Sequence, residues 1–153
     1  MRREIRYICL GLFLPLSMNG SVQAETDTAA ELQDHRQLVE MPAKTRALMR
    51  ADMQDHLAAL TTIFALLADD QYEKAGEVAE QRMGKSTMGK HRESGVPPGR
   101  YMPLAMRELG WGMHESASEL AEVAKQGDVN KTYTALQKLT AGCVGCHMAY
   151  RTR

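Results

Sequence analysis

Apolar side chains recur every three or four residues over four stretches of the chain, and this spacing predicts four amphipathic helices. The first predicted helix begins after Pro42 and extends to residue 70. The others cover residues 71–83, residues 104–126, and a last stretch that starts after Asp128 and continues almost to the C-terminus. The predicted inner face of the first helix comprises Met49, Met53, His56, Leu60, Ile63 or Phe64, and Leu67. Predicted inner positions of the last two helices include Leu104, Trp111, Val129, and Thr132 or Tyr133.

The connections between these helices indicate how they are arranged. Gly127 is predicted to end the third helix and Asp128 to cap the fourth. Residues 84–103 contain four glycines and three prolines, which predicts a long irregular connection of the kind that usually has a function. No segment alternates like a strand. The sequence therefore predicts an all-α fold, an antiparallel up-down-up-down four-helix bundle.

The N-terminus has the features of an export signal. Arg2, Arg3 and Arg6 are followed by an apolar stretch of about 12 residues, which is shorter than the roughly 20 residues of a membrane span. Small residues precede a cleavage site after Ala24. We therefore predict a signal peptide over residues 1–24 and a periplasmic mature protein, with a retained membrane anchor as the alternative. Residues 25–41 are predicted to be a loose leader or a frayed short helix, and residues 42–153 the bundle.

Charge and cysteine content narrow the function of the mature chain. The full sequence has 19 basic and 19 acidic residues, and removal of the signal peptide leaves sixteen and eighteen, a formal charge of −2. The sequence has no concentrated basic patch of the kind that binds nucleic acid. Cys9 leaves with the signal peptide, so the two remaining cysteines form no disulfide framework elsewhere in the chain.

The remaining cysteines, Cys143 and Cys146, are followed directly by His147 in the stretch CVGCH. A zinc site needs four ligands, and no second cysteine pair is present to complete one. A thioredoxin-like redox motif requires a βαβ context, which the helical pattern lacks. In covalent haem attachment, two thiols add to the haem vinyl groups and the next histidine ligates the iron. The motif, together with export, predicts one covalently attached haem c.

The position of the motif indicates a family. The stretch CVGCHMAYR, at the end of the last predicted helix, resembles the C-terminal motif of the class II cytochromes c, the cytochrome c′ family. The resemblance implies that Cys143 and Cys146 form thioethers and that His147 is the proximal iron ligand. It also makes Arg151 the basic residue that follows this histidine in the family. The long connection over residues 84–103 departs from the family pattern.

The family resemblance implies that the residue opposite His147 determines the function. In low-spin members a methionine of the first helix is the sixth ligand, and in the others the site is open. Met49, Met53 and His56 share one face of the first predicted helix. Met49 lies about 10 Å into that helix and His147 about 6 Å from the end of the antiparallel fourth helix. Met49 is therefore the predicted ligand, with Met53, His56 and an open site as alternatives.

Ligation by histidine and methionine favours ferrous iron, which suits a carrier of single electrons between redox partner proteins rather than an enzyme. An open site would instead make the chain a five-coordinate protein that binds nitric oxide or carbon monoxide. A third hypothesis is a copper-binding module, because thioether and imidazole ligands suit copper(I). Its candidate ligands are the neighbouring pairs Met88 with His91, Met102 with Met106, and Met113 with His114.

Several further side chains are candidates for contact with the haem. Arg46 lies one turn before Met49 and is predicted to reach a haem propionate, with Arg50, Arg100 and Tyr101 as further candidates. Trp111 and Tyr133 are predicted to pack in the core or against the porphyrin. The family resemblance also leaves open a homodimer formed through the first two helices.

Overall fold

The computed structural model of the protein describes residues 34–153. The predicted signal peptide and most of the predicted leader lie outside the described residues. The four predicted helices are confirmed, with ends that agree to within two residues. They are α1 (Ala43–Ala68), α2 (Tyr72–Met83), α3 (Leu104–Ala124) and α4 (Val129–Ala149).

The predicted helix boundaries have identifiable local causes. The carboxylate of Asp128 accepts a hydrogen bond of 3.0 Å from the backbone N–H of Lys131, so it caps α4 as predicted. Gly127, which precedes this cap, has a φ of +68°, a conformation that glycine adopts without steric cost. At the other end of the chain, Pro42 stands immediately before α1, where its missing N–H leaves no helical hydrogen bond unmade.

The helices pack in sequence, α1 on α2, α2 on α3 and α3 on α4, whereas α1 and α4 are in much less contact with each other. The α2–α3 pair approaches closely at Gly76, where an added Cβ would lie 2.9 Å from the carbonyl oxygen of Ala121. The main core is aliphatic and rich in alanine and methionine. Its fully buried members include Ala59, Ile63, Ala75, Ala79, Met83, Ala117, Leu120 and Leu139.

The connection between α2 and α3 lies against the first half of α1. It contains three short 3₁₀ turns, and polar contacts hold its second half against the start of α1. The hydroxyl of Thr45 donates to the carbonyl of Val96 (3.2 Å), and Lys44 donates to the carbonyl of Ser94 (3.3 Å). The connection therefore covers one end of the bundle. Its turns span Lys85–Thr87, Arg92–Ser94 and Pro98–Arg100.

The structure contains two short strands that the sequence pattern did not predict. Strand β1 (Gln37–Val39) pairs in parallel with β2 (Tyr150–Thr152). Three residues are too few to show an alternating pattern, and the partner of each strand lies at the opposite end of the chain. The last part of the predicted leader is therefore a strand, neither loose nor helical. Because β1 precedes α1 and β2 follows α4, the start of α1 and the end of α4 meet at one end of the bundle.

Several large side chains that the pattern placed inside the bundle are exposed. α1 is apolar on more than one face, so periodicity alone does not distinguish Ile63, which is buried, from Phe64, which is half exposed. Leu104 and Val129 begin their helices and extend beyond the core. Within residues 34–153, no helix combines the length and apolar character needed to cross a membrane. The exposed residues that were predicted to face inward are Met53, Phe64, Leu104, Trp111, Val129 and Tyr133.

Candidate cofactor site

Cys143 and Cys146 lie one turn apart near the end of α4, and both are free, half-buried thiols. Burial raises the pKa of the Cys143 thiol. The pKa of Cys146 is also raised, mainly by burial and further by the charge of a neighbouring Cys143 thiolate. The two sulfurs are therefore held as neutral thiols at the boundary between the helix surface and the bundle interior.

Two glycines beside these cysteines lie where α4 faces α3. A Cβ added at Gly142 would lie 3.4 Å from the Cβ of Met113, and one added at Gly145 would lie 3.8 Å from Cδ2 of Leu109. Gly142 directly precedes Cys143, and Gly145 directly precedes Cys146. An added Cβ at either position would make an ordinary van der Waals contact, so α3 simply lies alongside this part of α4.

The two thiols contact different parts of the interior. Cys143 packs against the main core, whereas Cys146 packs against a separate cluster formed by Val39, Met41 and Met106, which we call the end cluster. Met49, half-buried on α1, packs against the same end cluster. The structure therefore brings Met49 and Cys146 to one small group of side chains, although they belong to the first and last helices.

His147 follows Cys146 in the last turn of α4 and has an exposed side chain. Its backbone carbonyl accepts a hydrogen bond of 3.3 Å from Arg36. Arg151 lies in β2, and its Nε donates to the carbonyl of Arg36 (3.4 Å). His147 thus lies at the end of the bundle where β1 and β2 pair, the same end as the start of α1.

A cavity of about 520 Å³ opens between the first half of α1, the α2–α3 connection and α3. Its lining is predominantly apolar and contains an unusual number of thioether sulfurs. The cavity is adjacent to the end cluster, because Met49 and Met102 line the cavity and also pack against that cluster. Soft and aromatic groups of the lining are Met49, Met53, Met88, Met102, Met113, Trp111, His56, His91 and His114.

The histidines of the cavity make specific contacts. His56 is buried, and its pKa is lowered chiefly by burial and secondly by His114, so its imidazole is held neutral. The two rings meet edge to face with centroids 6.1 Å apart. Nδ1–H of His114 donates to the carbonyl of Met83 (2.7 Å). Nε2 of His91 lies 2.9 Å from a carboxylate oxygen of Asp52.

The cavity also contains a cation that the sequence analysis missed. Arg107, in the first turn of α3, lines the cavity, and its Nε is buried without a hydrogen-bond partner among the described residues. Its guanidinium carbon lies 5.8 Å from the centroid of the Trp111 ring. The sequence signal was the spacing of Arg107 and Trp111, four residues apart on one helix face. Arg46, the predicted propionate contact, donates to the carbonyl of Met41 (2.9 Å).

These residues fit a covalently attached haem. Two neutral thiols one turn apart precede a histidine. Neither thiol nor His147 lines the apolar cavity, but Met49 and Met102 of its lining pack against the same end cluster as Cys146. A buried guanidinium N–H without a partner suits a haem carboxylate. Within residues 34–153, no group of three or more histidine, cysteine or acidic side chains is arranged to hold a bare metal ion.

The last two helices, α3 and α4, are similar to those of a known family of helical haem proteins. The family model described as Cytochrome C' matches residues 105–151, which contain most of α3 and all of α4. This match covers 47 of the 153 residues, and over its last two helices the chain is similar to the class II cytochromes c. Members bind one covalently attached haem c and are generally non-enzymatic haem proteins. The searches of curated proteins and of solved structures found no match.

Proposed function

We propose that the protein is an exported carrier of single electrons, in which His147 and Met49 ligate the iron of one haem c. The observation that carries this proposal is the contact of Met49 and Cys146 with the same end cluster. Cys146 is the thiol next to His147, so Met49 would be available to a haem attached at this thiol. This role involves no enzymatic activity.

Met49 suits the role of sixth ligand better than its two alternatives. Met53 and His56 lie further along α1, and neither packs against the end cluster. Met53 is also partly exposed. His56 is buried near the middle of the bundle, where its ring contacts His114. Met49 is therefore the candidate whose position along α1 matches that of the haem-attachment motif along α4.

The chain's own residues would adapt the cofactor to electron transfer. When bound, haem supplies an iron that gains or loses one electron. A thioether opposite an imidazole favours the ferrous form, and the apolar cavity favours it further because it penalises added positive charge. Packed helices on either side limit rearrangement during the redox step. Val144 and Met148 are exposed beside the thiols, so the attachment edge lies at the surface, where a redox partner has access to it.

A gas-binding protein with an open sixth position is the second candidate. The observation that favours it is the cavity itself, which adjoins Met49 and is large and apolar enough for a diatomic ligand. A copper site that uses the same methionines has less support. Nε2 of His91 already contacts the Asp52 carboxylate, and Nδ1–H of His114 already donates to the Met83 carbonyl.

The absorption spectrum of the matured protein distinguishes the first two candidates. Iron–methionine bonding should give an absorption band of the ferric form at about 695 nm. It should also make carbon monoxide binding by the ferrous form slow or absent. Met49→Ala should abolish this band and admit carbon monoxide, whereas Met53→Ala should leave both unchanged. A broad high-spin spectrum with ready carbon monoxide binding in the unsubstituted protein would favour the gas-binding candidate. Copper titration of the His91→Ala and Met88→Ala variants tests the third.

We also infer that residues 1–24 direct export and that the mature chain begins at Glu25. The basic and apolar order of the N-terminus supports this inference. The test is the intact mass of the protein in a periplasmic extract. The expected mass is that of residues 25–153 plus one haem. A mass that includes residues 1–24 would show instead that the segment is retained as an anchor.

The second half of α1 supports a homodimer as part of the proposal. Residues 57–68 contain no charged side chain, and Leu57 and Phe64 are exposed on this segment. An uncharged surface can face a second copy of itself without repulsion. Sedimentation analysis should give the mass of a dimer, and Leu57→Glu should shift it to that of a monomer. A monomer in the unsubstituted protein would refute the dimer.

A further inference from the structure

We propose that Arg107 binds a carboxylate of the haem, an inference that rests on the proposed haem site. An arginine keeps its charge at every physiological pH and offers only hydrogen-bond donors. A buried donor without an acceptor lowers stability, since the group has lost its water and gained nothing in return. The buried Nε of Arg107 therefore identifies a place in the cavity that is completed by an acceptor.

The side chain is held in position for such a contact. Arg107 lies in the first turn of α3, and its guanidinium lies 5.8 Å from the ring centroid of Trp111, one turn further along the helix. A guanidinium at this distance from an indole ring is attracted to its π face. The stack restricts the rotamers of the arginine, so less freedom is lost when a planar carboxylate binds the guanidinium.

Protein carboxylates near the cavity already have partners. Asp52, which lines it, contacts Nζ of Lys90 at 2.8 Å and Nε2 of His91 at 2.9 Å. Asp55 forms an ion pair with Arg82. Asp52 is the acidic residue of the cavity lining and is already paired, so we assign the acceptor for Arg107 to the cofactor's own carboxylate. Arg46 is a weaker candidate for this contact, because it already donates to the Met41 carbonyl.

The contact has a consequence that can be measured without any activity assay. A cation beside a haem carboxylate holds that carboxylate ionised and offsets its negative charge near the iron. Removal of the cation should therefore favour the ferric form and lower the midpoint potential. It should also move to higher pH the range in which the potential depends on pH, because the unpaired carboxylate then takes up a proton more readily.

The experiment measures midpoint potential against pH for the haem-containing protein and its Arg107→Gln, Arg107→Lys and Arg46→Gln variants. Arg107→Gln should lower the potential and shift its pH-dependent range upward. Arg107→Lys, which keeps the charge but not the planar fork, should produce a smaller shift in the same direction. Arg46→Gln should match the unsubstituted protein.

Two results would overturn the role of Arg107. One is an unchanged potential and pH profile in both Arg107 variants, and the other is an effect of Arg46→Gln as large as that of Arg107→Gln. Should Arg107→Gln fail to fold, Arg107→Lys alone decides, since an unchanged profile in this variant excludes the contact. Haem content, measured on every sample by the pyridine haemochrome spectrum, keeps this test separate from the proposed function. Absence of haem from the unsubstituted protein would refute that function instead.

A second inference rests on an independent observation, the distribution of charge along the bundle. The end that carries the haem-attachment motif comprises residues 34–55, 84–113 and 142–153. It has eleven Lys and Arg residues against six Asp and Glu residues. The opposite end, residues 56–83 and 114–141, has five against nine. The described bundle is therefore positive at the motif end and negative at the other.

The positive charge is available at the surface. Arg50, Arg92 and Arg100 are exposed at the motif end. Two of the six acidic residues there, Asp52 and Asp55, are already paired with cations. The two carboxylates of a haem reduce the excess of positive charge but do not reverse it. We infer that the redox partner approaches this end and presents an acidic protein surface, because complementary charges orient proteins before they make contact.

Small redox reagents of known charge report the sign of this surface. Oxidation of the ferrous protein by hexacyanoferrate(III), which accepts one electron from the haem, should slow as salt is added. Electron exchange with hexaammineruthenium should show the opposite trend. The double variant Arg50→Glu with Arg92→Glu should slow the hexacyanoferrate reaction several-fold at low salt. The matched pair Lys74→Glu with Lys125→Glu, at the opposite end, should have little effect.

The docking surface would be refuted if the rates with both reagents did not depend on salt. Equal effects of the two double variants on the hexacyanoferrate rate would also refute it. Sedimentation of the protein with phosphatidylglycerol vesicles at physiological salt would assign the positive end to a membrane instead of a protein. All of these outcomes are observed on haem-containing protein that still exchanges electrons. They therefore leave the proposed function standing while they refute this inference.

Discussion

Val39 lies opposite Thr152 in the parallel pair of β1 and β2, so the segment that leads into α1 and the segment that follows α4 are held together. Val39 is also one of the three buried members of the end cluster. The cluster in turn contacts Met49 and Cys146. One small group of residues thus joins the segments before α1 and after α4, and it contacts both the proposed sixth ligand and the thiol beside the proposed proximal histidine.

Val39→Asp should weaken both the fold and the iron–methionine bond. The substitution buries a carboxylate among apolar side chains, and we expect the free energy of unfolding to fall by at least about 2 kcal/mol. The ferric absorption band at about 695 nm should also weaken, because Met49 loses its packing against the end cluster. Gln37→Glu, at the exposed start of the same strand, is the control. Loss of stability with an unchanged band would show that the end cluster does not position Met49.

Truncation of a side chain in the main core should lower the free energy of unfolding, as it does in a tightly packed interior. Leu139 is fully buried between α4 and its neighbours. Leu139→Ala should lower the free energy of unfolding by about 2–5 kcal/mol, as measured by urea denaturation. Leu104→Ala removes the same atoms from an exposed position at the start of α3 and should cost less than about 0.5 kcal/mol. Equal losses in the two variants would be inconsistent with the placement of the core.

Gly76→Ala should destabilise the protein, although alanine has the higher helix propensity. The added Cβ would lie 2.9 Å from the Ala121 carbonyl oxygen and 3.1 Å from its Cα, which are backbone atoms that cannot move aside cheaply. We expect a loss of about 1–3 kcal/mol in the free energy of unfolding. Glu77→Ala, the next residue on α2 and exposed, is the control. A stabilising Gly76→Ala would contradict the close contact of α2 with α3.

Acid should destabilise the end of α2 through Glu80. Its carboxylate accepts hydrogen bonds from the Ser118 hydroxyl and, at 3.1 Å, from the backbone N–H of Ser86. The Ser118 bond is the main cause of a pKa below the ordinary value of 4.5. Because the unfolded chain takes up the proton first, this contribution to stability is complete above pH 4.5 and is lost as the pH falls below it.

The measurement is the free energy of unfolding between pH 3 and pH 7 for the unsubstituted protein and for Glu80→Gln. The variant should be less stable at neutral pH, and its stability should depend less on pH below about 4.5. Glu77→Gln, an exposed acidic residue on the same helix, provides the comparison. Parallel pH profiles for all three proteins would mean that the Glu80 hydrogen bonds contribute nothing.

Local signals in the sequence were sufficient to predict the helices. Apolar spacing, the Asp128 cap and Gly127 each act within a few residues, and the structure agrees with all three. The haem-attachment motif is equally local, because two thiols and a histidine must lie within two turns of one helix. The family match over residues 105–151 agrees with that interpretation.

The features that the sequence did not reveal depend on contacts between distant segments. β1 and β2 pair across almost the whole length of the chain, and three residues carry no detectable period. The importance of Arg107 lies in what surrounds its Nε, and composition does not encode these surroundings. Phe64 and Ile63 are adjacent on a helix with apolar residues on several faces, so only packing decides which one is buried.

The most direct test of the central claim is whether the exported protein retains its pigment when extracted with acidified acetone. The account predicts a coloured protein whose intact mass equals that of residues 25–153 plus one haem, and whose haem stays with the chain on extraction. The Cys143→Ala and Cys146→Ala double variant should lose that retention. A colourless protein, or one that releases its haem into the solvent, would contradict covalent attachment through these two cysteines and, with it, the electron-transfer function proposed for the chain.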